Sequence, residues 1–527
     1  MNFKYAMIMK KFYTFILTVT LCLGINVNAQ ERYVDEIFTD VDVSSDELYG
    51  VNATVLLVSV VGEAVPQPLF ADIYSPTGDT ETARPLVIYA HTGNFLPHPQ
   101  NGSPSGTKTD STVVEICTRL AKMGYVVASI DYRLGWNPLA TTQEERTATL
   151  INAAYRGVQD ARTAIKYFKR TVAEFGNPHG IDPGKIVLWG QGTGGYISLA
   201  CTGLDDYNKV LLPKFFADDG MGGFIPMVIE PINGDIYADS VGIVPPGYPV
   251  FPAGDTLCYP NHVGYDAEFN LCVNVGGAMG DSTWLDAGDV PIISVQTPTD
   301  PFAPYTTGVL IVPTTNEPVV EVSGSYDVQT MQAAFGNNAE WLEHDFIDPF
   351  STRANMVNDG LEGLFPVVRE VPAQVLDSSP WDFWDPATNA NHDNGLLTNP
   401  DMSAVKAKTF IDSIIGYYAP RACITLGLGC DLQGSGITVG VEDLNSNDVG
   451  LFISPNPGVD QITFRTSTEF PIEDIYVYDL EGRLVAAHVN VQNNVFELQK
   501  NSLSTGMFIA ELRFADQKRV SKKVIFK

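Results

Sequence analysis

Lys185-Ile186-Val187-Leu188-Trp189-Gly190-Gln191-Gly192-Thr193-Gly194-Gly195-Tyr196 reads as three pieces in succession. Ile186 to Trp189 is a short continuous apolar run, the pattern of a strand covered on both faces. Glycine then fills positions 190, 192, 194 and 195, which marks a turn where backbone approaches backbone closely. Tyr196 to Ala200 is the body of a helix. A buried strand that turns directly into a helix is the repeating unit of a sheet wound on both faces.

The same alternation extends upstream. Leu69–Tyr74 and Leu86–Ala90 read as strands, and Ser111–Met123 as a helix with Val113, Val114, Cys117, Leu120 and Ala121 at helical spacing. Tyr125–Ile130 is a further buried strand, and Thr147–Thr171 a long amphipathic helix. Downstream, Met331–Phe346 is helix-like and Met402–Tyr417 is the last long helix. The alternation predicts a doubly wound α/β domain over about residues 30–430. Residues 231–289 are rich in Gly, Pro and aromatics and read as a cap-like insertion. Tyr237, Tyr248, Phe251, Tyr259, Tyr265 and Phe269 there are either pocket wall or the insertion's own packing. Trp381-Asp382-Phe383-Trp384 has the same two readings.

Several motifs fall in an order that resembles the α/β-hydrolase superfamily, in its carboxylesterase-like branches. His91-Thr92-Gly93 after a strand resembles the oxyanion loop. Asp131-Tyr132-Arg133 follows the next strand, and Gln159-Asp160-Ala161 lies in the helix before the elbow. Residues 185–196 match the strand-turn-helix of the G-x-S-x-G nucleophile elbow. Val290–Asp300, with Pro304-Tyr305, resembles the strand and turn that bear the acid. The resemblance implies a doubly wound α/β-hydrolase sheet with a cap-like insertion. It also implies Asp300 as acid, His392 or His344 as base, and Thr92, Gly93 and Thr193 at the oxyanion or ligand-binding position.

The departure is at Gly192, which stands where the family has its serine. Without a side chain, the acyl-enzyme mechanism has no attacking atom. Glycine also removes the steric cost that a serine bears in that turn. Thr193, one residue on, belongs by resemblance to the oxyanion hole through its N–H rather than to the attack. His392 precedes the last long helix, where the family places its base, while His344 lies in a helix-like segment. Asn389–Gly395 spaces oxygen side chains like a calcium loop, but its glycine is one place late and Pro400 stands where the loop needs Glu. No metal or cofactor is assigned.

The chain has 527 residues, 62 Asp+Glu against 32 Lys+Arg, and a net charge of −30. Such acidity opposes a phosphate backbone, so nucleic acid is not an expected partner. The charge is uneven. Residues 1–30 carry three Lys and no acid, and residues 451–527 carry nine charges of each sign, so −33 falls on residues 31–450. Lys10 and Lys11, the apolar run Phe12–Ile25 and Val27-Asn28-Ala29 read as a secretory signal peptide over residues 1–29. Nothing else is long and apolar enough for a transmembrane span in the mature chain. Export exposes six cysteines to an oxidising medium. Cys258 with Cys272 and Cys423 with Cys430 are the candidate pairs, while Cys117 and Cys201 read as buried thiols.

Residues 431–450 are Gly-, Ser-, Asn- and Asp-rich and read as a linker. Residues 451–527 alternate short strands with turns, which predicts a small all-β sandwich. This segment resembles the type IX secretion C-terminal sorting domain of Bacteroidetes through Pro455-Asn456-Pro457, Val477–Val485, Leu503-Ser504-Thr505-Gly506-Met507 and Lys522–Lys527. The resemblance implies a chain exported via the periplasm by the type IX machinery, then secreted or attached to the cell surface. Two function classes remain: a degenerate, esterase-like protein that binds a small ester-like ligand or a surface partner, and an active acyl hydrolase with another nucleophile.

Overall fold

The computed structural model describes residues 31–218, 222–312, 317–344, 346, 348–369, 376–430, 449–479, 484–488, 491–500, 503–514 and 519–527. The expected signal peptide, and the expected linker apart from residues 449–450, lie outside them. Eight strands form the central sheet: β1 (Val41–Thr54), β2 (Val65–Pro76), β3 (Arg84–Ala90), β4 (Val126–Ile130), β5 (Ile181–Gln191), β6 (Leu271–Val275), β7 (Ile292–Gln296) and β8 (Leu364–Pro366). Their spatial order is β1-β2-β4-β3-β5-β6-β7-β8. β2 runs antiparallel to β1 and β4, and the strands from β4 to β8 are parallel.

Alternating side chains send each strand into two cores. Leu86, Ile88 and Ala90 join the cluster under α2 (Gln143–Glu174) and α3 (Thr193–Gly203). Val87 and Tyr89 join the opposite cluster, under α1 (Ser111–Lys122) and α5 (Ala404–Thr425). Burial on both faces explains the continuous apolar runs of β3 to β5. α2 begins four residues before its apolar pattern does, because Thr142 accepts from the Glu145 N–H and caps a polar first turn.

Three strands depart from expectation; one of them, β8, has only three residues, too few to write a pattern. β1 is mostly exposed along its first half, so it lacks the apolar run that marks a strand; pairing with β2 recruits it. β6 is fully buried between β5 and β7, although residues 231–289 read as insertion. No crossover helix directly precedes its five residues, so the alternation gives no cue. The irregular excursion therefore ends before Leu271. Within it, Tyr248 and Phe251 pack on a small cluster of Ile232, Val244 and Leu257. Cys272, a β6 residue, is a buried free thiol, as is Cys258, so that candidate pair is unbonded. Cys423 and Cys430 form a disulfide.

The C-terminal strands are β9 (Phe452–Ser454), β10 (Gln461–Arg465), β11 (Asp474–Tyr478), β12 (Leu484–His488), β13 (Val495–Gln499), β14 (Gly506–Arg513) and β15 (Arg519–Phe526). They form sheets of order β9-β10-β13 and β12-β11-β14-β15. Ile462, Phe464 and Leu498 from one sheet meet Ile475, Val477, Ala510 and Val524 from the other in one core, which makes a sandwich. Asn456 clamps the last strand, accepting from Ile525 N–H and donating to Lys523 O, both at 2.9 Å.

Candidate functional site

The site sits where β3 and β5 end, and a buried ion pair fixes its floor. Arg133, just past β4, gives Nε to Asp160 Oδ1 at 2.9 Å and its backbone N–H to Oδ2 at 2.7 Å, with both side chains fully buried. Its other nitrogens reach Gln159 Oε1, Ala53 O and Leu257 O. Asp131-Tyr132-Arg133 and Gln159-Asp160 are thus two halves of one fastening. Tyr132 then donates to His91 O at 2.8 Å, and the Thr193 hydroxyl, 3.0 Å from the Tyr132 oxygen, is its donor. That bond commits the Thr193 side chain to scaffolding.

The turn after β5 keeps the conformation of a nucleophile elbow. Gly192 has φ 55° and ψ −116°, in the left-handed half of conformational space that a side chain rarely tolerates. Neighbouring glycines are required by close approach. A Cβ on Gly190 would lie 1.9 Å from Gly194 O, and one on Gly194 would lie 2.0 Å from Ala90 O. At Gly192 the obstacle is a side chain: a Cβ there would lie 2.1 Å from Thr92 Oγ1 and 2.8 Å from Thr92 Cβ. The hydroxyl of Thr92 occupies the volume in which a side chain at 192 would begin.

The loop that carries Thr92 is held from several sides. His91 Nδ1 donates to Thr92 O at 2.5 Å. The loop then folds back so tightly that a Cβ on Gly93 would lie 2.7 Å from Gly106 Cα. Three asparagines grip its far limb: Asn389, Asn391 and Asn394 donate to the carbonyls of Pro104, Ser103 and Gly102 at 2.7, 2.9 and 3.2 Å. Among the described residues, the N–H groups of Gly93 and Thr193 and the Thr92 hydroxyl have no protein hydrogen-bond partner.

Asp300 is buried beyond the end of β7, and burial pushes its carboxyl up to about 7. Its oxygens accept from Phe302 N–H, Ala303 N–H and Ser378 Oγ at 2.8, 3.2 and 2.9 Å. His392 is not joined to it. That residue opens the short helix α4 (His392–Leu396), part of the asparagine clamp, and its Nδ1 accepts from Trp384 Nε1 at 3.0 Å. His344 is exposed and lies 6.3 Å, centroid to centroid, from Phe346. Neither histidine hydrogen-bonds Asp300, so the expected acid and base are not brought together as a pair. Ser378 takes the acid's side-chain bond, and nothing in Asp377-Ser378-Ser379 signalled this. A second buried carboxyl, Asp382, accepts from Gln191 Nε2 at 2.6 Å, and burial also raises it to about 7.

Beside the elbow lies a cavity of about 120 Å³. Thr193, Tyr196 and Phe302 line it together with Trp136, Phe215 and Trp284, and among the described residues no charged side chain contributes. Part of its wall is a hairpin of Gly308–Ile311 with Pro318–Val322, which sequence reading overlooked. None of the insertion aromatics contributes to this lining. Tyr237 lies instead against Arg162, 4.2 Å from guanidinium to ring centre, and Trp381 packs over Gly276. They are packing residues.

Two outcomes follow. Gly192→Ser alone is expected to lower stability by about 1–3 kcal/mol through strain and collision. Adding Thr92→Gly should recover part of the loss, with a coupling of about 1 kcal/mol or more in a urea double-mutant cycle; strict additivity would mean that Thr92 is no obstacle. For Asp300, the folded chain keeps a proton that the unfolded chain loses above about pH 3.9. Stability therefore falls as pH rises from there through about 7, and is level beyond. Asp300→Asn should flatten this window in pH-dependent denaturation, and an unchanged slope would contradict a protonated Asp300.

A family model described as BD-FAE matches residues 71–214. One described as a domain of unknown function (DUF8694) matches residues 439–526. Secreted lipase 5 of Gibberella zeae is 28% identical over 119 residues, which is 23% of this chain and 20% of the lipase. The match thus spans about a fifth of that relative's length. Among solved structures, Thermogutta terrifontis esterase 2 phosphorylated by paraoxon aligns at 15% identity and TM-score 0.28, over 50% of this chain and 73% of the esterase. A truncated carbohydrate esterase from gut microbiota aligns at 15% identity and TM-score 0.30, over 57% and 86%. Those scores carry no argument, and the fold rests on strand order and elbow. The central domain has an α/β-hydrolase fold, and residues 71–214 within it are similar to the BD-FAE family.

Proposed function

We propose that this chain is an exported α/β-hydrolase-fold protein that holds a small acyl ligand beside Gly192 without serine-type turnover. One observation carries the reading: the elbow keeps its backbone shape, but Thr92 fills the place from which a nucleophile would project. The oxyanion donors and the apolar cavity persist, so binding is retained where attack is not. The test uses the full chain with a short-chain p-nitrophenyl ester and a fluorophosphonate. No hydrolysis and no adduct are expected. The variant Gly192→Ser with Thr92→Gly should stay unlabelled as well, because no histidine bonds Asp300. An adduct on the native chain would overturn the reading.

Turnover through another hydroxyl has one observation in its favour. Ser379 holds a φ of 44°, rare for a residue with a side chain. Its Oγ lies 3.4 Å from Ser378 Oγ, which donates to Asp300. A fluorophosphonate adduct mapped to Ser379 is the signature of that alternative.

The C-terminal sandwich is proposed to be a type IX sorting domain, with the host a member of the Bacteroidetes and the product secreted or held at the cell surface. The residues quoted for that resemblance support it, and the partial likeness to a secreted lipase is in keeping with export. In a host with type IX secretion, a chain ending at Cys430 is expected to remain in the periplasm while the full chain passes outside. Export of the shortened chain would remove the role.

A further inference from the structure

A serine esterase makes its own anion: attack on the ester carbonyl creates the oxyanion that the hole then stabilises. At Gly192 no atom can attack, yet hydrogen-bond donors remain around the position. Thr92 contributes a hydroxyl, 2.1 Å from where a Cβ on Gly192 would lie, and Gly93 and Thr193 contribute N–H groups without protein acceptors among the described residues. Donors that cannot wait for a transient charge are matched by an oxygen that carries charge in the ground state.

The cavity restricts the rest of the ligand. Phe95, Trp136, Leu150, Phe215, Trp284 and Val320 are among its lining residues, and among the described residues no side chain there can neutralise an ion. A ligand that uses both parts has one charged end at the elbow and an apolar remainder in the cavity. A carboxylate has two oxygens and about four lone-pair positions for the donors, whereas a neutral ester carbonyl has one oxygen. Hydrogen bonds to the ionised group are also roughly twice as strong. Thr193 opens α3, whose N-terminal end adds a favourable field.

We propose that the ligand is an apolar carboxylic acid of medium chain length, bound as its carboxylate to the Thr92 hydroxyl and the N–H groups of Gly93 and Thr193, with its tail in the cavity. This inference rests on the non-catalytic binding reading and sharpens it: Thr92 is the residue that converts an ester site into an acid site.

The experiment titrates the full chain with octanoate, methyl octanoate and octan-1-ol, at about pH 6 where the acid is ionised. Calorimetry and the fluorescence of Trp136 and Trp284 report binding. Octanoate should bind at least about tenfold more tightly than the ester or the alcohol. Thr92→Val keeps the side-chain shape and should weaken octanoate about tenfold while leaving the ester nearly unchanged. Hexanoate should be weaker than octanoate by about fourfold for each CH2 removed. Equal or tighter binding of the ester, or indifference to Thr92→Val, would overturn the acid assignment while leaving binding at the cavity intact. Absence of binding by all three would overturn the binding reading itself.

Discussion

The fully buried pair of Arg133 and Asp160 is the fastening on which the site depends. An arginine and a carboxylate removed from water are tolerable only if nearly every donor and acceptor is satisfied. Satisfying them brings together elements far apart in sequence. Asp160 belongs to α2, Ala53 O to β1, and Leu257 O to the excursion before β6, and all three converge on one guanidinium. With Arg133 fixed, Tyr132 beside it is aimed at His91 O and Thr193, so the loop of Thr92 and the turn after β5 are positioned from the same anchor. The polar centre thus sets the alignment, and the two apolar clusters on either face supply the bulk of burial.

Much of the sheet was legible because parallel strands buried on both faces write themselves as unbroken apolar runs, as in Leu86–Ala90 and Ile186–Trp189. β1 was not, because Asp42, Ser44, Ser45, Asp46 and Glu47 belong to an edge whose outer half faces solvent. β6 was hidden for the opposite reason. Its apolar residues are typical, but the chain approaches it through a loop-rich excursion and not through a helix. The glycine at 192 was legible as a departure from a resemblance; periodicity alone offers no reason to single it out.

The site was legible only where it consists of backbone. Glycine spacing at 190, 194 and 195 announces close approach, and the structure has backbone atoms about 2 Å from the Cβ positions of Gly190 and Gly194. Side-chain partnerships across distant segments leave no such mark. His392 stood at the expected distance before the last helix, but its neighbours Asn389, Asn391 and Asn394 are committed to the carbonyls of residues 102–104. Ser378 reached Asp300 instead. The cavity likewise takes its wall from α2, α3 and a hairpin after β7, segments whose apolar residues read individually as ordinary core.

The meeting of Thr92 with the empty position at 192 constrains the order in which the two residues can change. A single change from Gly192 to Ser arrives in occupied space, so a hydroxyl installed there carries a structural penalty before it brings any chemistry. The reverse order, clearing Thr92 first, gives up the hydroxyl beside the donors with no attacking group to replace it. Either route crosses a less favourable intermediate, and the pair acts as a ratchet. A chain that carries both residues has position 192 closed to a side chain by packing alone, whatever chemistry surrounds it.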